Sequence, residues 1–252
     1  MTEPSNAGLF VQRGMGLRIP VGGLVISVDP SGAPKAELTK IEFSLDMCTA
    51  WLRVALGQLD LAEQSSRAAI AAAASGDDAN LGQSMEAECA AGMIAMAAAA
   101  FAIDAFYAAL KDRSPRVQAI PVSKRRRSSR HKIVLEALRR EFKIAPTSLR
   151  NLQNIVKEVF KFRDLAVHPT GRFTSPVLKP EVGKLTEWRF VTFGAANARL
   201  SVRATLAALV QLVEIPKSSS ADTKLYLEGL KPALDELAVA WRSARGLLTD
   251  TV

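Results

Sequence analysis

Cys89-Ala90-Ala91-Gly92-Met93-Ile94-Ala95-Met96-Ala97-Ala98-Ala99-Ala100-Phe101-Ala102-Ile103 is an almost wholly apolar run. A helix of that length rises about 22 Å, short of the roughly 30 Å hydrocarbon core of a bilayer, and Asp104 ends the run. Alanine and Gly92 let neighbouring helices approach closely. The run therefore reads as the buried helix of a soluble bundle, and no membrane insertion is expected. Continued in both directions, it predicts a helix from about Ser84, a capping residue, to Lys111.

Upstream, Ile41, Leu45, Cys48, Leu52, Leu56, Leu59 and Ala62 recur at three- and four-residue steps. This spacing predicts an amphipathic helix from Thr39 to about Ala73, broken by Ser75-Gly76-Asp77-Asp78. Residues 1–16 read as loose. Leu24-Val25-Ile26-Ser27-Val28 is a β-type run followed by the turn Asp29-Pro30-Ser31-Gly32, which gives a small hairpin or an edge strand. Downstream, Pro115 to Lys132 reads as an exposed loop feeding a helix over Lys132–Phe142. A further helix starts at Pro146-Thr147-Ser148, with Thr147 or Ser148 as cap, and runs to about Val167. A loop with Pro169, Gly171, Pro176 and Pro180 follows, then a short strand or extended piece over Trp188–Phe193. Helices over Ala195–Val213 and Thr223–Leu247 close the chain. The fold class is mostly α, a helical bundle with a short N-terminal β element. The expected organisation is an N-terminal extension over 1–38, a bundle over 39–215 and a C-terminal helix over 216–252 packed on it.

An apolar fraction of 48% over 252 residues excludes a disordered chain, and a net charge of +8 favours anionic partners. Cys48 and Cys89 lie in apolar helical stretches and read as reduced core residues, with a cytoplasmic setting. The N-terminus lacks the apolar core of a secretory signal. Histidine and cysteine do not recur at zinc-ligand spacing, so no structural metal is expected. The sequence carries no Gly-rich phosphate loop, no paired-carboxylate site and no Ser-His-Asp order. Trp51, Trp188 and Trp241 read as packing residues.

The residues with most functional content are Phe162-Arg163-Asp164-Leu165-Ala166-Val167-His168-Pro169. At 100° per residue, Ile155, Val159, Phe162 and Ala166 form a core stripe, with Val156, Phe160, Arg163 and Val167 as a second cluster beside it. Arg163 thus sits at the edge of apolar surface. Asp164 and His168, four residues apart, are within reach of each other on a helix. Proline stops the helix and pushes His168 away from helical backbone angles. Imidazole changes charge near neutral pH, and guanidinium matches phosphate oxygens in a fixed fork. Together on a basic chain they suggest phosphodiester chemistry. A helix end whose cationic histidine suits the dipole is the plainer alternative.

This helix end resembles the signature of HEPN domains (higher eukaryotes and prokaryotes nucleotide-binding), in which an Arg-x4-His motif with a polar residue after the arginine closes a helix. The run Ala99–Asp112, AAFAIDAFYAALKD, resembles the apolar helix that precedes the motif, and the likeness covers about residues 84–215. Arg126 and His131 repeat the spacing inside a charged segment without an apolar helix before it, and are set aside. The resemblance implies an all-α domain, usually a homodimer with facing motif helices, that is either a metal-independent endoribonuclease or a non-catalytic binder of nucleotides or RNA. By position Arg163 and His168 match the motif's arginine and histidine, and Asp164 its polar position. His168 would move the proton of the ribose 2′-hydroxyl or of the leaving oxygen, Arg163 would stabilise the phosphate, and a 2′,3′-cyclic phosphate would result. No cofactor is implied. The partners are RNA or another polyanion, a second copy and, in some members, a regulatory protein.

Two further features bear on this reading. Lys124, Arg125, Arg126, Arg127, Arg130 and Lys132 form a basic run suited to phosphate-backbone contact, although charge runs are more often solvated loops. Asp104 lies among apolar residues and needs a partner, for which Arg163 is the candidate. The expected function is RNA binding with endoribonuclease activity. The alternatives are a non-catalytic helical module that binds nucleic acid or protein, and a structural helical protein with a basic surface.

Overall fold

A computed structural model describes residues 9–11, 15–121, 128–142, 144, 146–168, 174–214 and 220–248. The architecture is mostly α, a helical bundle carrying short N-terminal strands. Strands β1 (Leu9–Val11), β2 (Met15–Arg18), β3 (Leu24–Val28), β4 (Pro34–Leu38) and β5 (Glu42–Leu45) precede helices α1 (Met47–Ser75), α2 (Asp78–Arg113), α3 (Pro115–Gln118), α4 (Arg130–Glu141) and α5 (Pro146–Val167). The short hairpin β6 (Val177–Lys179) and β7 (Lys184–Thr186) leads to α6 (Trp188–Thr192), α7 (Ala195–Glu214) and α8 (Ala221–Arg245).

Six features differ from expectation. Pro115–Gln118, expected as exposed loop, is helical because the Ser114 hydroxyl caps it, and Val117 and Ile120 are buried. Leu9–Val11 and Met15–Arg18 form two paired strands, where a loose end is expected to about residue 16. The first long helix begins at Met47 and not at Thr39, because Glu42–Leu45 pairs antiparallel with β2. Arg18 Nε donates to Glu42 at 2.6 Å across that ladder. The Asp46 carboxylate then accepts the Thr49 N–H at 3.0 Å and starts the helix. Gly76, at φ +72°, ends α1, and Asp77 caps α2 at once by accepting the Asn80 N–H, so α2 starts six residues before Ser84. Trp188–Thr192 is helical rather than extended because the Glu187 carboxylate accepts the Arg189 N–H at 2.8 Å and acts as its cap. The proline-rich loop after α5 contains the β6–β7 hairpin, closed by Gly183 at φ +65°.

The main hydrophobic core runs from Cys48 through Leu52, Leu59, Met96, Phe106, Phe142, Phe160 and Leu206 to Trp241 and Leu248, with smaller clusters around Ala69, Leu81 and Val182 and around Ala62, Ala91 and Ala195. α2 is its axis. By length and composition α2 could cross a membrane, and more than half of its most apolar stretch is buried in the bundle. Gly92 is sterically required there: a Cβ at that position would fall 1.9 Å from the Phe193 carbonyl oxygen. Cys48 is buried, Cys89 is partly buried, and both are free thiols. Burial pushes both thiols above their ordinary pKa.

Among the described residues, the ion pair of Lys179 with Glu88 lies inside the bundle. Lys179 Nζ sits 3.2 Å from Glu88 Oε2 with both side chains 3% exposed, and donates to the Phe190 carbonyl at 3.2 Å. Glu88 Oε1 also accepts the Ala195 N–H at 2.9 Å, at the start of α7. This carboxylate therefore ties α2 to β6, to α6 and to α7. Glu88→Ala should lower unfolding stability in urea by about 3–5 kcal/mol, because the ammonium is left buried and unpaired. Glu88→Gln combined with Lys179→Met should recover most of that loss.

Candidate functional site

The site grows from α5. Leu152, Val156, Val159 and Phe160 are buried, while Ile155, Phe162, Leu165 and Ala166 pack partly buried against the core. The stripe centred on Val156 and Phe160 is thus the deeper of the two expected faces. Phe160 brings Arg163 with it. The guanidinium lies 4.6 Å from the Phe160 ring centroid, and its side chain is only 19% exposed. Held there, it donates from Nε at 3.0 Å and from Nη2 at 2.6 Å to Asp164 Oδ1. The backbone N–H of His168 donates to the Asp164 carbonyl at 2.9 Å, so the helical ladder extends to the histidine despite the following proline. His168 itself is exposed. The side-chain bond expected between Asp164 and His168 does not form, because the carboxylate faces Arg163.

The expected pairing of Asp104 with Arg163 is also corrected. Asp104 Oδ1 accepts from Arg130 Nε at 2.6 Å. The reason is local. Arg130 opens α4 directly against α2, and its guanidinium stacks 4.7 Å from the ring of Tyr107, one turn along from Asp104. The six basic candidates therefore divide. Arg130 is bound to α2 through Asp104, and Lys132 is exposed beside Ser128 and Arg139 along a second crevice of about 340 Å³. Lys124, Arg125, Arg126 and Arg127 lie outside the described residues.

His131, set aside in the sequence as part of a charged segment, lies close to the site. It follows Arg130 in the first turn of α4, and its Nε2 lies 3.4 Å from Ser129 Oγ. Burial holds its pKa below the ordinary imidazole value, and the Lys132 and Lys157 charges add to that, while the Asp164 carboxylate acts against them. The ring therefore stands in the field of both Lys157 and Asp164 of α5. The available signal was the pattern of α4, where Ile133, Val134, Ala137 and Leu138 fill the core and turn the first turn of the helix toward α5.

Also unforeseen is a cleft of about 520 Å³ on the far side of Arg130. Trp51 and Phe101 form one wall, with ring centroids 5.0 Å apart. Asp46, Asp104, Asp112, Arg113 and Arg130 supply its charge. Burial raises the pKa of Asp46 against the hydrogen bonds that it accepts from Thr49 and from the Tyr226 hydroxyl, the latter at 2.9 Å. Among the described residues, no three His, Cys, Asp or Glu side chains gather as a metal site.

The fold defines an all-α bundle with a basic helix junction. Comparison with family models, curated proteins and solved structures returned no match.

His131 carries a pH dependence. Its folded pKa lies below the unfolded value, so protonation favours the unfolded chain. Its contribution to stability is complete above the ordinary imidazole value and is lost as pH falls through that value toward the depressed folded one. An NMR titration should place the His131 midpoint below about 6.5. Lys157→Ala should raise the midpoint, and Asp164→Asn should lower it further.

Proposed function

We propose that this chain is an RNA-binding, HEPN-like protein that acts as a metal-independent endoribonuclease. The observation that carries the reading is Arg163, fixed by Phe160 at the end of α5, with Asp164 beside it, His168 exposed one turn on, and the His131 ring in the field of the same carboxylate. Arg163 offers the phosphate a preset guanidinium. One imidazole takes the 2′-hydroxyl proton as that oxygen forms its bond to phosphorus. A second imidazole protonates the 5′-oxygen as the phosphorus–oxygen bond breaks. The products are a 2′,3′-cyclic phosphate and a 5′-hydroxyl end. A homodimer supplies the second imidazole from another subunit, and His131 supplies one within the chain. Arg130 and Lys132, with the cations before them, hold the backbone without sequence choice. The setting is cytoplasmic, and the site admits a regulatory protein partner.

The pairing of Arg163 with Asp164 does not argue against a phosphate there. Asp164 is 58% exposed, and such pairs contribute about 0–1 kcal/mol, so a phosphate can take over the guanidinium at little cost. The same pairing does favour a second reading, a module that binds RNA or protein without cleaving it.

Incubation with mixed RNA in chelator separates the two. The wild type should yield 2′,3′-cyclic phosphate ends, and His168→Ala should reduce cleavage by about 10²- to 10⁴-fold with unchanged helical content and RNA affinity. Cleavage that survives His168→Ala removes the catalytic role of that residue. RNA bound but intact leaves the binding module, and absence of RNA binding defeats both readings.

A further inference from the structure

Twelve of the twenty-four exposed large apolar side chains among the described residues fall between Met15 and Met47. The β3–β4 hairpin concentrates them. Its register sets Leu24 opposite Leu38, Val25 opposite Glu37, Ile26 opposite Ala36, Ser27 opposite Lys35 and Val28 opposite Pro34. Side chains alternate across a strand. Leu24, Ile26, Val28, Pro34, Ala36 and Leu38 therefore make one wholly apolar face, and Val25, Ser27, Lys35 and Glu37 make the other. Every one of these residues is exposed, with Ile26 at 71% and Val28 at 69%. Among the described residues no third strand joins the hairpin.

The two edges of the hairpin differ. The Asp29 N–H donates to Ala33 at 2.9 Å and the Thr39 N–H to Gly23 at 2.8 Å, which fixes the phase of the ladder. Bonded and unbonded pairs alternate in an antiparallel ladder. Leu24, Ile26 and Val28 thus turn their N–H and C=O groups outward along one edge, and Ala36 and Leu38, with the Pro34 carbonyl, along the other. The β4 edge carries Pro34, Lys35 and Glu37, residue types with which proteins blunt an edge against pairing. The β3 edge carries no proline, and no charge from Val21 to Val28.

We infer that β3 pairs antiparallel with β3 of a second copy of this chain, about a two-fold axis at Ile26. In that register Ile26 exchanges both backbone bonds with its counterpart, and Leu24 with the second copy's Val28, for about six new hydrogen bonds. The register preserves the alternation, so both apolar faces lie on one side. The large side chains of β3 meet at the centre of the four-stranded sheet, and the small Pro34 and Ala36 lie nearer its rim. Its outer edges become the two blunted β4 strands, so assembly closes at two copies. The occupant is a second copy because the register matches itself and because the charges permit it. Asp29, Lys35 and Glu37 give Val21–Leu38 a net charge of −1 in a chain of net +8, so two copies meet here without the repulsion of the basic bundle. This interface is independent of the RNA reading and of any dimer through α5.

Sedimentation of the full-length protein at micromolar concentration tests it. The wild type should sediment as a dimer where β3 alone pairs, and as a larger species that Ile26→Pro reduces to a dimer where α5 pairs as well. Ile26→Pro removes an N–H that the hairpin itself does not use and should weaken association by at least roughly tenfold. Ala36→Pro does the same on the β4 edge and should leave the dimer intact. As a check independent of proline, Val25 faces the second copy's Ser27 across the seam. Mixing Val25→Cys chains with Ser27→Cys chains under mild oxidation should therefore give a disulfide-linked dimer that neither variant forms as readily alone. A monomeric wild type, a dimer indifferent to Ile26→Pro, loss with Ala36→Pro alone, or failure of the mixed cross-link would each overturn the inference.

Discussion

The close packing of α2 is the constraint on which the rest of the structure depends. Its alanines and Gly92 leave no room for side chains between it and the backbone of the segment before α7, where the Phe193 carbonyl lies within a Cβ radius of the helix. Such an approach leaves little apolar volume per residue, so the contact relies on fit and on polar groups placed at few points. Glu88 is one of them, binding Lys179 and the first N–H of α7. Asp104 is another, binding Arg130 and fixing the entry of α4. The two pairs have opposite characters. The first is dry, and losing either partner leaves an uncompensated charge. The second stands at the lip of a cleft, partly exposed, and water can take over its hydrogen bonds.

The helical spacing of α1 and α5 and the unbroken apolar run of α2 are long, and the existence of these helices could be read directly from the sequence. What could not be read was which of two signals prevails in a short stretch. Ile41 and Leu45 continue the helical spacing of α1, yet they also belong to a segment that alternates through Glu42, Phe43 and Ser44 toward a waiting strand, and Asp46 is a better cap than anything upstream. Trp188–Phe193 has strand-like composition, but Glu187 supplies a cap and the segment turns. At the site, the edge position of Arg163 was legible because it follows from the angle between residues 160 and 163. Its partner was not. Asp104 had to be neutralised, but which arginine reaches it depends on the docking of α4 on α2, a tertiary fact. His131 was hidden for the same reason: its neighbours Lys157 and Asp164 are near only after α4 folds back on α5.

Aromatic rings set most of the guanidinium positions at this end of the molecule. Arg163 rests on Phe160, Arg130 on Tyr107 and Arg113 on Tyr226. A ring face restrains a guanidinium without saturating its donors, and the interaction contributes about 0.5–1 kcal/mol at exposed sites. Arg163 and Arg130 therefore keep a definite orientation when the Asp164 or Asp104 carboxylate leaves, and Arg113 is further held by the Ala109 carbonyl. This separates them from Lys184 and Lys224, whose ion pairs are more exposed and lack such support. The entropy of ordering the three arginines has therefore been lost on folding, before any ligand arrives.

The N-terminal strands are joined to the bundle through Asp46. Its carboxylate begins α1 by accepting the Thr49 N–H, and it accepts the hydroxyl of Tyr226 from α8. Burial disfavours its charge, and these two bonds oppose that cost. Tyr226 in turn carries Arg113, whose carbonyl accepts the hydroxyl of the α8 cap Ser220. Displacing β5 from α1 would thus expose a cap, free a buried carboxylate and loosen the contact between α2 and α8 together. Because Ser44 and Leu45 of β5 line the aromatic cleft together with Asp46, the strand and the cleft share a wall, and a displacement of β5 changes the cleft directly.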